Sequence, residues 1–181
     1  MKEKSKALYK LVIISMSVAF ITVCSWISIP FAVNFSLQIF ALLIVAAAFP
    51  FSVSITSISI YILLGLIGIP VFSGFSSGLT ALMGASGGFI IAFLPMAFTV
   101  SIFRKKYVQH PWIFIVISFI SMLICYISGC LWYMLIFSPS TSFLSALAIC
   151  VIPFIIPDTL KILLSSIALK KLNPYIKKLQ L

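Results

Sequence analysis

Apolar residues fill long unbroken blocks of this chain, and polar residues interrupt them at only a few places. Between Leu11 and Phe103 there is no Asp, Glu, Lys or Arg. That stretch is several times longer than the roughly 20 residues needed to cross a bilayer once, so a chain that crosses repeatedly is expected. The interruptions mark the elements. A first helix is predicted over Ala7 to Ile29, stopped by Pro30. A short outer loop, Pro30 to Ser36, leads to a second helix over Leu37 to Phe49, and Pro50 separates that from a third over Phe51 to Ile67. Both are short for a span, which implies tilt or a locally thinned bilayer. The least lipid-like segment follows, Gly68 to Gly88, and seven of the eight glycines lie between Gly65 and Gly88. A fourth helix is expected over Phe89 to Phe103 and a fifth over Trp112 to Phe137, with Ser138 to Ser142 as an outer turn. Pro153 and Pro157 break the last apolar block. They predict a short helix over Phe143 to Ile152 near the outer face, then a sixth span that opens on Pro157 and runs to Leu172. The expected fold is an all-α polytopic membrane protein, one domain over residues 1–181 with six transmembrane helices.

Composition demands the same lipid-facing exterior. Hydrophobic residues make up 63% of the 181 positions and charged residues 8%, with a mean hydropathy of +1.30. A soluble domain carries charge on about a quarter of its residues. The net charge of +10 raises the question of nucleic acid, but its distribution answers it. Lys2, Lys4, Lys6 and Lys10 precede or open the first apolar run. Arg104, Lys105 and Lys106 form a second cluster, and Lys170, Lys171, Lys177 and Lys178 a third. Short basic clusters beside apolar spans mark cytoplasmic ends, and a nucleic-acid surface needs a polar face that this chain lacks. With the amino terminus inside, six spans put every cluster and both termini in the cytoplasm. Five or seven spans would put a basic cluster outside. The first apolar run exceeds the roughly 7–15 residues of a signal-peptide core and no Ala-x-Ala site follows, so it is expected to be retained as a helix.

Apart from those clusters, the charged residues are Asp158 and Lys161. An ionisable residue at membrane depth is costly unless paired or hydrated, and by default it points to function. Three apart on a helix, the two share a face and can form an ion pair. Asp158 also follows Pro157, where a carboxylate meets the positive end of the helix dipole. The alternative is a capping Asp with a Lys snorkelling outward. The glycine-rich segment is the second candidate, because irregular backbone at membrane depth requires protein cover or a hydrated cavity. Gly74, Gly78, Gly84, Gly87 and Gly88 permit close approach, and Ser73, Ser76, Ser77 and Ser86 add hydroxyls. The alternative there is a Gly/Ser helix-packing surface. Cys24, Cys125, Cys130 and Cys150 show no Cys-x-x-Cys spacing and read as small apolar residues. His110 stands alone in a basic loop. No catalytic constellation and no Walker A sequence is present, so neither an enzyme nor a self-contained nucleotide-driven pump is expected, and no cofactor is implied.

Three blocks resemble a known family. Ile29-Pro30 followed by Phe35-Ser36-Leu37-Gln38 is similar to a Pro-x-Thr-Leu-Gln lead-in to a second helix. Gly65-Leu66-Ile67-Gly68-Ile69-Pro70-Val71-Phe72 is followed by Gly84-Ala85-Ser86-Gly87-Gly88-Phe89. Pro153-Phe154 leads to Pro157-Asp158-Thr159-Leu160-Lys161. In this order they resemble the BioY family, biotin-binding S components of energy-coupling factor transporters. The chain departs from the family pattern at Ala85 and Phe89, where Pro and Tyr are usual. It also departs at Phe75, Ser76 and Ser77, where further Gly or a polar Asn is usual, and at Ile90, where some relatives carry Arg.

The resemblance implies an S component in the cytoplasmic membrane that captures biotin from outside and works with a transmembrane coupling subunit and two cytoplasmic ATPases. Biotin offers an apolar bicycle and tail, a ureido group and a carboxylate, which suits a mostly apolar cavity with a few convergent polar groups. Lys161 is the expected counter-ion for the carboxylate. Asp158 either accepts a ureido N–H or holds Lys161, and the sequence leaves both open. Phe72, Gly74, Ser76, Ser77, Ser86, Gly87, Gly88 and Gln38 complete the expected site. Such S components dock on the coupling subunit through small residues of the first helix. The corresponding pair here is Ser15 and Ala19, for which packing inside the bundle is the alternative. Rival readings are an S component for another small metabolite, a stand-alone secondary transporter, or a non-transporting scaffold. Against the transporter stand the small size, the lack of an internal repeat and the scarcity of coupling carboxylates.

Overall fold

The computed structural model describes residues 2–107 and 110–178; the extreme terminal residues and the tip of the basic loop, including Gln109, lie outside them. Helix α1 (Lys2–Trp26) is followed by a two-residue antiparallel hairpin, β1 (Ser28–Ile29) paired with β2 (Phe35–Ser36). Helices α2 (Gln38–Ala48) and α3 (Phe51–Leu66) come next. Then follow a 3₁₀ turn at Ser73–Phe75, the short helix α4 (Gly78–Met83) and helix α5 (Gly87–Ile102). A helical turn, α6 (Arg104–Tyr107), precedes α7 (Pro111–Trp132), which continues as a π-helical turn over Tyr133–Phe137. The chain ends with α8 (Phe143–Cys150), a 3₁₀ turn at Ile152–Phe154 and α9 (Ile155–Lys178).

Several boundaries differ from the hydropathy pattern. The first helix stops at Trp26 rather than Ile29, because Ser28 and Ile29 pair with Ser36 and Phe35 instead of continuing it. The fourth long helix starts at Gly87, so both glycines of the Gly-Gly step are helical. The last helix starts at Ile155, which places Pro157 in its first turn, and it passes through Pro174 to Lys178. Among the described residues, Lys6–Trp26, Trp112–Phe137 and Phe143–Pro174 are long and apolar enough to cross a membrane, and Gln38–Ala48, Phe51–Leu66 and Gly87–Ile102 are shorter apolar helices.

Helix α2 lies at the centre, packed against α1, α3, α5 and α9. Ala41, Leu42, Leu43 and Ala46 are all fully buried. Its 11 residues extend only about 16 Å, and Val45 to Ala48 at its end are buried within the protein, so their carbonyls need protein donors. Other helices supply the donors. Ser54 Oγ donates to Val45 O (2.9 Å), Ser101 Oγ to Ala46 O (3.0 Å) and Arg104 Nε to Ala48 O (3.1 Å). The requirement that buried carbonyls be paired thus fixes α3, α5 and α6 around one helix end.

Helix α5 packs most extensively on α7. A side chain at Gly88 would collide with Trp132 Cβ and the Ser128 carbonyl, and one at Gly129 with the Phe89 ring. The two glycines let the backbones approach, and Ser128 Oγ uses the proximity to donate to Gly88 O (2.9 Å). This is the small-residue packing that replaces the hydrophobic drive between helices in lipid.

Arg104→Met leaves the carbonyl of the buried Ala48 without its donor. The expected loss is about 1–3 kcal/mol, read as a lower unfolding temperature of the purified protein, whereas the exposed Lys105→Met changes little.

Candidate functional site

Chain direction separates the two ends of the bundle. Helices α2 and α5 begin beside one cavity, at Gln38 and at Ser86–Phe93, and run toward Arg104 at the other end. Helix α9 begins at the same cavity, with Asp158 and Lys161, and carries Lys170 and Lys171 in its distal half. Helix α1 opens with lysines and ends at Trp26, whose Nε1 donates to Pro70 O (2.8 Å) near the cavity. The basic clusters and the cavity therefore sit at opposite ends.

The floor of the cavity is the ion pair. Lys161 Nζ donates to Asp158 Oδ1 at 2.8 Å, with Asp158 1% and Lys161 7% exposed. Tyr126 on α7 donates its hydroxyl to the other oxygen, Oδ2, at 2.9 Å. Each carboxylate oxygen thus has a protein donor, while the ammonium spends one of its three N–H groups on Asp158. Asp158 therefore holds Lys161 by an ion pair.

The opposite wall comes from the irregular segments. Phe72 is buried, and its N–H donates to Ser76 O (3.1 Å) while Ser76 Oγ returns a bond to Ser73 O (2.9 Å). Gly74 closes this turn at φ +68°, a left-handed conformation natural to glycine, and its N–H donates to Ser28 Oγ (3.2 Å). The turn is thereby tied to the hairpin. Trp26 stacks on Phe75 at 5.2 Å from the α1 side. Gln38 Nε2 donates to Tyr61 Oη (2.7 Å), whose hydroxyl donates to Val71 O (3.0 Å), a carbonyl also bonded by Ser25 Oγ. A continuous polar chain therefore links α1, α2 and α3 to the segment that carries Phe72. Over the top, Phe35 stacks on Phe154 at 4.3 Å, and Phe89 lies 6.4 Å from Phe154.

The structure brings six of the expected residues to this cavity: Asp158, Lys161, Phe72, Ser76, Ser86 and Gln38. Four others do not line it. Gly87 and Gly88 face Leu82 and Trp132 in the α5–α7 packing, Gly74 serves the turn, and Ser77 precedes α4. Sequence reasoning left Asn34, Ser36 and Phe154 out of the site, although Ser36 and Phe154 stand within the quoted blocks. Ser73 also lines the cavity, and its buried hydroxyl has no partner among the described residues. The cavity encloses about 50 Å³, well below the roughly 300–1,000 Å³ of small-molecule sites. On α1, Ser15 and Ala19 are exposed on the outer face of the bundle rather than packed within it.

The comparisons with known proteins agree with this architecture. The BioY family profile matches residues 1–178. A biotin transporter of Lactococcus lactis subsp. cremoris is 35% identical over 163 residues, covering 88% of this chain and 87% of that protein. A probable biotin transporter of Pyrococcus horikoshii is 33% identical over 150 residues, covering 82% and 86%. The crystal structure of the S-component for biotin from an ECF-type ABC transporter superposes with a TM-score of 0.85 over 94% of this chain and 93% of that one, at 23% identity. That likeness establishes the shared fold, and the sequence matches establish the kinship: the chain belongs to the BioY family.

Proposed function

We propose that this protein captures biotin at the outer face of the cytoplasmic membrane and delivers it inward as the S component of an energy-coupling factor transporter. The observation that carries the reading is the buried Asp158–Lys161 pair on the floor of an otherwise mostly apolar cavity, in a chain whose relatives are biotin transporters. An ammonium bonded, among the described residues, to Asp158 alone suits the carboxylate of biotin. The aromatic walls suit its bicycle and tail, and the hydroxyls of Ser73, Ser76 and Ser86 offer partners to the ureido group.

Removing Lys161 alone strands a buried carboxylate, at a cost of about 3–5 kcal/mol, so the informative variant is the double replacement Asp158→Asn with Lys161→Met. A hydrogen bond to a charged group is worth about 1.5–3 kcal/mol. The double variant is therefore expected to bind biotin roughly ten- to a hundred-fold more weakly, with a much smaller loss for biotinamide, whose tail is neutral. Equal losses for the two ligands in equilibrium titrations would remove the ammonium–carboxylate contact from the account.

The whole chain acts as one membrane domain of six spans, with α8 lying near the outer face and the basic clusters and termini in the cytoplasm. The opposite placement of cavity and basic residues supports this topology. In a background without native cysteines, Ser140→Cys is expected to react with an impermeant thiol reagent on intact cells and Lys105→Cys to remain unlabelled. The reverse pattern would invert the protein.

The partners are a transmembrane coupling subunit and two cytoplasmic ATPases, and the exposed Ser15–Ala19 step on α1 is the docking contact. Replacing both residues with Trp is expected to leave biotin binding by the isolated subunit unchanged while co-purification with the coupling subunit falls. Retained co-purification would move the contact elsewhere.

A further inference from the structure

Tyr126 sits behind the ion pair as viewed from the cavity. It does not line the cavity. It lines instead an apolar groove of about 290 Å³ between α7 and α9, walled by Phe119, Met122, Leu123, Val151, Ile155 and Ile162. Asp158 borders both spaces. Asp158 thus stands between the cavity and a groove in which, among the described lining residues, the other side-chain donors are Tyr126 and Thr159, the latter donating to Ile155 O at 2.7 Å. The Tyr126 hydroxyl meets Oδ2 from the groove side at 2.9 Å, and Lys161 Nζ meets Oδ1 at 2.8 Å.

We propose that Tyr126 is a positioning residue of the vitamin site: without touching the ligand, its hydroxyl fixes the Asp158 carboxylate so that Asp158 in turn presents the Lys161 ammonium to the ligand's carboxylate. The physical reason lies in what the groove does to an unpaired oxygen. A buried acceptor without a donor carries its full desolvation penalty, and a charged one carries more. Deprived of Tyr126, Oδ2 turns away from the apolar groove and toward the cavity, where hydroxyls and any entering water are found. Lys161 is tied to the other oxygen of the same group, so the ammonium turns with it. It then meets a ligand carboxylate already facing a freed anionic oxygen. Both changes weaken an anion and leave a neutral tail nearly untouched. A tyrosine that merely fastens α7 to α9 would instead affect every ligand alike.

The inference rests on the reading of Lys161 as the carboxylate's counter-ion, and the test separates the two. Tyr126→Phe removes the hydroxyl and keeps the ring, so the groove stays filled. Equilibrium titrations of purified wild type, Y126F, the D158N–K161M double variant and the triple variant are made with biotin and with biotinamide, alongside unfolding temperatures. Y126F is expected to weaken biotin binding about ten-fold and biotinamide binding less than about three-fold, and to have no further effect within the D158N–K161M background, the non-additivity of residues that act as a unit. Equal losses for the two ligands, with or without a lower unfolding temperature, would make Tyr126 a structural clasp and overturn the proposal. So would an unchanged biotin affinity in Y126F. If the double variant itself binds biotin as wild type does, the counter-ion reading fails first, whatever Y126F shows.

Discussion

A buried carboxylate persists only where donors replace the water it has lost, and Asp158 has one on each oxygen: Lys161 from its own helix and Tyr126 from α7. The rest of the site is arranged around that requirement. The pair occupies the first turns of α9, where the helix dipole favours the anion and where Pro157 costs no hydrogen bond. Its position in turn requires α7 and α9 to be neighbours and the 3₁₀ turn at Ile152–Phe154 to bend the chain into the cavity mouth. The same constraint governs the central helix, whose carbonyl end takes donors from Ser54, Ser101 and Arg104. Polar groups appear in this bundle where lipid cannot serve, and each draws a second element toward it.

The cavity follows from what is left over. Helix α2 is too short to fill the full depth of the bundle, so the hairpin at 28–36 and the turn at 73–75 cover the end it leaves open. Hydrogen bonds join them to one another and to α1 through Gly74, Ser28 and Trp26. The cavity hydroxyls of Ser36 and Ser76 are bonded within the protein, whereas among the described residues that of Ser73 has no partner and the Lys161 ammonium bonds to Asp158. A site with a few unspent polar groups among aromatic rings discriminates by what it leaves unpaired when the wrong ligand enters.

The long helices and the ion pair are legible in the sequence because both rest on short-range rules. Apolar runs, prolines and basic flanks mark the helices, and the spacing of Asp158 and Lys161 puts them on one face of a helix wherever that helix lies. The hairpin is not legible, since strands of two residues leave no period to read. Nor does sequence distinguish glycines that make room for a neighbouring helix from glycines that line a cavity. Gly87 and Gly88 were expected in the site, and they pack against α7. Tyr126 acquires its role through a contact with Asp158 across a separation of 32 residues, and nothing local signals it. The last helix outruns its expected end because Pro174 is accommodated within it.

The most direct measurement is an experimental structure of the protein with biotin bound. The account predicts the ligand inside the cavity between Phe72, Phe89 and Phe154, its carboxylate within about 3 Å of Lys161 Nζ, with the Tyr126–Asp158 hydrogen bond retained. A carboxylate pointing toward the 73–76 turn, with the ureido ring against Asp158 and Lys161, would contradict it.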